Sequence, residues 1–106
     1  MKRTDFFGAD VHDDAEVRRQ YNLLIEQMDF STRYLKLNYG IRDQDLCLAR
    51  RHGTMNALTL AHLCVAVGEC SPTPEYAAEA VTPLVQAFAT ALTAHLIHSA
   101  TQAATL

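Results

Sequence analysis

All nine Lys and Arg residues of this 106-residue chain lie at or before Arg51. From His52 to Leu106 the only charged side chains are Glu69, Glu75 and Glu79. A soluble helical surface carries charges of both signs. A half-chain without cations, rich in Ala, Leu, Val and Thr, is therefore built to be covered. The cover is the first half of the chain, another copy, or a different protein. The chain reads as an interacting protein before it reads as an enzyme.

The length is that of one domain, and a chain this short has a modest core. Apolar residues make up 49% of it, as in globular rather than disordered proteins. The net charge of −3 argues against a broad nonspecific nucleic-acid binder, but the charge is unevenly spread. Residues 1–32 hold four cations and seven carboxylates, residues 33–52 hold five cations and two carboxylates, and the rest is purely acidic. One basic band, Arg33, Lys36, Arg42, Arg50 and Arg51, thus sits mid-chain, and a local band can contact phosphate whatever the total charge. Cys47, Cys64 and Cys70 are odd in number and unpaired in spacing, which is no disulfide framework and favours a cytoplasmic setting. The N-terminus lacks the apolar run of a signal peptide. Leu84–Ile97 is too short and too polar for a membrane span.

Helical periodicity dominates. Asp13 or Asp14 is a good N-cap, and Val17, Tyr21, Leu24, Met28, Leu35 and Tyr39 follow helical spacing. The pattern predicts one amphipathic helix of about 25 residues ending near Asn38–Gly40. A second helix, capped near Asp43, runs through Leu46, Leu48 and Ala49. Gly53 breaks it and Thr54 caps a third, through Met55, Leu58, Leu60, Leu63 and Val67, ending at Gly68. Thr73-Pro74-Glu75 restarts a helix, since Thr caps and Pro fits the first position. Thr82-Pro83 repeats the arrangement, predicting a short helix at 74–81 and a long one at 83–102, or one helix kinked at Pro83. No strand is expected. The last helix is uncharged and apolar nearly all round, which assigns it to the centre of the fold or of an oligomer interface.

Three groupings bear on chemistry. Ala49 and Gly53 have the spacing that lets two helices of a helix-turn-helix cross closely. Asn56 would then face an adenine edge, and Arg50, Arg51 and Thr54 would meet phosphate. The competing reading is a plain helical hairpin whose Arg50, Arg51 and His52 form a solvated last turn. His62, Cys64, His95 and His98 include a pair three residues apart, but no Cys-x-x-Cys or His-Glu-x-x-His frames a zinc site. Chance spacing explains them well, as buried thiols and helix-terminal imidazoles. No nucleophile–base order, phosphate-cradling Gly loop or carboxylate pair points to catalysis.

The middle of the chain resembles a known family. A long helix closes in Leu37-Asn38-Tyr39-Gly40-Ile41, the polar start Arg42-Asp43-Gln44-Asp45 follows, and Leu58-Thr59-Leu60 with Leu63 comes after a short break. Over residues 20–67 this looks like FlhD, the all-helical subunit of the FlhD–FlhC type transcriptional activators. The proline-rich break at 71–74 and the Ala-rich last helix depart from that likeness. The resemblance implies a helical dimer that joins a zinc-bearing regulatory partner and modulates DNA contact.

The expectation is thus an all-α fold of four to five helices: a long N-terminal helix, a central hairpin and an apolar C-terminal helix, in a helical oligomer. Residues 1–12 are expected to be a flexible N-terminus before a single domain at 13–106. Leu24, Met28, Leu84, Phe88, Leu92 and Leu96 are the expected oligomer interface. Arg33, Lys36, Arg42, Arg50, Arg51, Thr54 and Asn56 are the expected DNA-contacting residues. The function read from this is a subunit of an oligomeric transcriptional regulator, with no enzyme activity, cofactor or membrane. The alternative is a protein-binding adaptor, anti-activator or chaperone without DNA contact.

Overall fold

The computed structural model describes residues 10–104, and within them the chain is all-helical apart from one minimal β-ribbon. The order is β1 (Asp10–Val11), α1 (Ala15–Met28), α2 (Thr32–Tyr39), α3 (Asp43–His52), β2 (Met55–Asn56), α4 (Ala57–Cys70) and α5 (Pro74–Ala104). The remaining residues of the expected N-terminal segment, 1–9, lie outside the described residues.

Asp14 caps α1: its Oδ1 accepts from the Val17 amide at 2.9 Å, and Glu16 sits in the first turn beside the positive end of the helix dipole. The predicted 25-residue helix is two helices. Asp29 adopts the left-handed conformation (φ 55°), the Phe30 amide donates back to the Ile25 carbonyl at 3.1 Å, and Ser31 caps α2 by accepting from the Tyr34 amide at 3.0 Å. Asp tolerates that conformation better than most residues, because its short side chain bonds locally. The apolar stripe continues across the break, so periodicity alone conceals it.

The strand expectation also fails. Asp10 pairs antiparallel with Asn56 and Val11 with Met55, and both Val11 and Met55 are buried. The ribbon ties the start of the described chain to the segment before α4, so order begins ahead of residue 13. Nothing in the alternation of two such short segments announces a strand.

The turn after α3 is the tightest joint. Gly53 has φ 69°, and a Cβ there would overlap the Asp14 carbonyl oxygen and approach the Arg18 amide nitrogen to 2.9 Å. The Asp14 amide donates to the Gly53 carbonyl at 3.4 Å, and the Asp13 amide donates to Thr54 Oγ1 at 3.0 Å. Ala49, fully buried, lies one turn earlier. The Ala49/Gly53 spacing therefore builds the approach of α3 to α1. It does not build a helix-turn-helix, since α3 packs mainly on α1 while α4 packs mainly on α5.

Helix α4 runs through Gly68 to Cys70, and the Ser71 hydroxyl donates to the Val67 carbonyl at its end. Thr73 caps α5, accepting from the Tyr76 amide at 3.1 Å. Helix α5 is one continuous helix of 31 residues with Pro83 inside it. Pro83 lacks the amide that would bond the Glu79 carbonyl, and one turn back the Thr82 hydroxyl donates to the Ala78 carbonyl. At 1.5 Å per residue such a helix is about 46 Å long, and it sets the 50 Å long axis of the molecule.

The core is built from Val17, Tyr21 and Leu24 on α1, Leu35 on α2, Leu46 and Ala49 on α3, Leu63, Ala66 and Val67 on α4, and Ala80, Leu84, Ala87 and Phe88 on α5. Burial pushes the Tyr21 phenol up to about 12.

Gly53→Ala and Gly40→Ala separate conformation from crowding. Both positions have positive φ, but nothing lies within 4 Å of a Cβ at Gly40. Gly40→Ala is expected to cost the left-handed penalty alone, about 1–2 kcal/mol. Gly53→Ala is expected to cost clearly more in urea unfolding, because backbone atoms of α1 must also move. Equal losses would mean that the α1–α3 approach is loose.

Candidate interaction surface

Two surfaces carry the features singled out in the sequence: the basic band on α2 and α3, and the uncharged half formed by α4 and α5.

The band is not one patch. Arg33 and Lys36 lie on α2, Arg42 precedes α3, and Arg50 and Arg51 lie in its last turn. Arg42 and Arg50 are eight residues apart, about 12 Å along the α3 axis. Lys36 Nζ is 3.0 Å from Asp43 Oδ2, and Arg42 grips Asp45 with two bonds at 3.0 and 3.1 Å. Their charge is largely spent on those carboxylates. Arg33, Arg50 and Arg51 are exposed and have no carboxylate partner among the described residues. Arg50 and Arg51 suit the negative end of the α3 dipole.

Two expected DNA contacts have other employment. Asn56 is the N-cap of α4, its Oδ1 accepting from the Thr59 amide at 2.8 Å. Thr54 does not cap α4, because its hydroxyl oxygen holds the Asp13 amide. Asp43 likewise is the first residue of α3 rather than its cap, and the N-cap position, Arg42, makes no side-chain cap bond.

The expected interface residues divide along α5. Leu24, Leu84 and Phe88 are buried within the chain's own core, and Met28 and Leu92 are partly buried against it. These five serve the fold, since helix α1 is what covers the first half of α5. Leu96 is 57% exposed and is the one of the six left free.

Leu23 on α1 and Leu37 on α2 are exposed singly, and the remaining large exposed apolar groups lie on α4 and α5. On α4, Leu58, Ala61, Val65 and Gly68 recur at helical spacing and are exposed. On α5, Val85, Ala89, Thr93, Leu96 and Ala100 do the same, with Ile97 beside them at 61% exposure. No charged side chain interrupts α4 before Glu69 or α5 after Glu79. The side of α5 that faces the body changes character along its length. Ala80, Leu84, Ala87 and Phe88 are buried, and the same side then continues as His95 and His98, both exposed. From Thr93 to Thr101 every side chain is exposed. Helix α5 thus becomes polar on its inner side where it leaves the body, and stays apolar on its outer side. Ala89, Thr90, Thr93, Ala94 and Ile97 line a shallow groove that turns from that outer side toward α1, where Thr90 also borders Asp14, Glu16 and Gln20.

The other candidate chemistry does not assemble. Among the described residues no group of three or more His, Cys, Asp or Glu side chains is placed to hold a metal ion. Cys70 Sγ lies 3.1 Å from the Tyr34 hydroxyl. The Tyr39 hydroxyl donates to Glu69 Oε1 at 2.7 Å, which raises the Tyr39 phenol well above its usual range. These contacts fasten α2 to the end of α4. Burial raises the Cys64 thiol, leaving it less reactive. Pro74–Thr101 is long and apolar enough, by length and composition, to cross a membrane, and 22% of its most apolar window is buried in the fold. The core helix of a soluble protein meets the same criterion.

No protein-family model, no curated protein and no solved structure matches this chain.

Asn56→Ala is expected to cost about 1 kcal/mol in chemical unfolding, and Asn56→Asp close to nothing, as for a cap. Equal losses for both variants would refute the capping role.

Proposed function

We propose that this chain is a protein-binding helical subunit that acts by docking through the outer side of α4 and α5. The observation that carries this reading is the exposed, uncharged strip from Val85 to Ala100, on a helix whose opposite side already completes the core. Large exposed apolar groups rimmed by polar ones mark interaction sites. Val65, Val85, Leu96 and Ile97 supply such groups, with Glu69, Glu75 and Glu79 at one end. The fold does not need this strip for its own burial.

The test is solution mass by light scattering, from high to low micromolar, together with recovery of stoichiometric partners from the native cell. The expected result is an oligomer or a stoichiometric complex. The triple variant Val65→Glu/Val85→Glu/Leu96→Glu should stay folded and lose it. A wild-type chain that is monomeric and recovered alone would refute the reading.

The second reading is a subunit of an oligomeric transcriptional regulator, and two observations favour it. The middle segment resembles FlhD-type subunits, and Arg33, Arg50 and Arg51 are cations without carboxylate partners among the described residues. Such a subunit would contact DNA through phosphates rather than base edges, because Asn56 is engaged as a cap. A zinc-bearing regulatory partner would then dock on the α4–α5 strip. Under this reading duplex affinity falls with salt and is lost in Arg50→Ala/Arg51→Ala, as measured by fluorescence anisotropy. Affinity that is absent at low salt, or unchanged in that variant, would leave the protein-binding reading alone.

A further inference from the structure

We propose that the seam between α1 and the end of α3 is a second docking surface, built for a short acidic peptide of another protein, with Arg18, Arg50 and Arg51 receiving its carboxylates. It lies apart from the α4–α5 strip and goes beyond the docking reading above.

The joint at Gly53 creates the patch. A Cβ at Gly53 would lie 3.0 Å from Arg18 Cβ, so the stem of Arg18 rests on the turn after α3. One helical turn further along α1, Asn22 Nδ2 donates to the Arg18 carbonyl at 3.0 Å and to the Arg50 carbonyl at 3.2 Å. A single amide thus ties the two arginine backbones together across the seam, although they lie far apart in the chain. Arg18, Arg50 and Arg51 are all exposed, and none has a carboxylate partner among the described residues. Arg33 does not belong to this group. It opens α2 at the other end of α1, about 20 Å along the α1 axis from the joint.

The side chains present select carboxylates beside an apolar group. Arginine grips a carboxylate through two parallel N–H donors. Leu23, 46% exposed, lies with Arg18 and Asn22 along one shallow depression on the outer side of α1. A peptide that carries an apolar residue next to its acidic ones meets both features at once.

Neighbouring carboxylates set the length and class of the partner. Asp13, 3.8 Å from His52, stands toward the start of α1, and exposed Glu26 lies about 12 Å from Arg18 toward its end. Glu16 is already held by Arg19 and Gln20. Duplex DNA carries a charge about every 1.7 Å along its axis. A duplex laid over the patch therefore also sets phosphates against Asp13 and Glu26, whereas a short peptide ends before it reaches them.

The experiment is fluorescence anisotropy of the full chain at low salt. The probes are a labelled peptide alternating Asp, Leu and Glu, the same peptide with Asn and Gln in place of its acids, and a labelled DNA duplex. Each variant is checked for unchanged helicity and thermal midpoint. The acidic peptide should bind and its amide counterpart should not. Arg18→Ala, Arg50→Ala and Arg51→Ala should each weaken it about two- to fivefold, as for exposed ion pairs, and the triple variant should abolish it. Leu23→Ser should weaken it by a similar factor, and Arg33→Ala should leave it unchanged. Equal loss in Arg33→Ala overturns the patch, because the attraction would then follow net charge alone. Peptide affinity that survives the triple variant overturns it as well. A duplex that binds more tightly than the peptide and is indifferent to Leu23→Ser overturns the peptide assignment and favours the transcriptional reading. Binding of neither probe overturns the surface altogether. The light-scattering test of the α4–α5 strip stands or falls separately from all of these.

Discussion

The start of α1 and the turn after α3 form a single joint. Gly53 lies against the Asp14 carbonyl and the Arg18 amide, with no room for a side chain. Around it the Asp13 amide bonds Thr54, the Asp14 amide bonds Gly53, and β1 pairs with β2. Backbone groups buried this tightly must be paired with one another. The joint fixes where α1 crosses α3, and α1 in turn covers the first half of α5. The division of α5 into a covered and an uncovered half descends from this one close approach.

That division gives the cation-free half two uses. Up to about Leu92 its apolar groups are taken up by the fold, with Leu84 and Phe88 among the buried residues. Beyond it the helix stands clear, and an isolated segment of that length is marginal in water without tertiary support. The change from Phe88 to His95 and His98 on the inner side spares the projecting part an apolar face toward the body. The outer side keeps Leu96 and Ile97 exposed instead.

Much of the helical layout was legible in the residues. Asp14, Thr73 and Pro74 start helices where cap chemistry requires, and Gly40 and Gly53 end them in the left-handed conformation. The break at Asp29 was not legible from the apolar stripe, which runs on through Leu35. It was written only in the local pair Asp29 and Ser31, one a residue that tolerates positive φ and the other a capping residue. The candidate site was half legible. Leu96 is exposed, but Leu24, Leu84 and Phe88, named with it for one interface, are buried in the chain's own core. A helical repeat states which residues share a face, not what covers that face.

The sequence by itself determined that the chain is helical, that its second half lacks cations, and that α1 and α5 start, and α2 and α3 end, at the caps they have. These follow from local chemistry: hydrogen bonds from side chain to backbone, φ preferences, and the periodicity of apolar residues. Only the tertiary structure decided that Ala49 and Gly53 serve the α1–α3 joint rather than a helix-turn-helix. It alone decided that Thr54 holds the Asp13 amide and leaves the cap of α4 to Asn56, and that the exposed strip begins at Val85. Each of these depends on which distant segment arrives at a residue, and residue spacing along one helix carries no record of that.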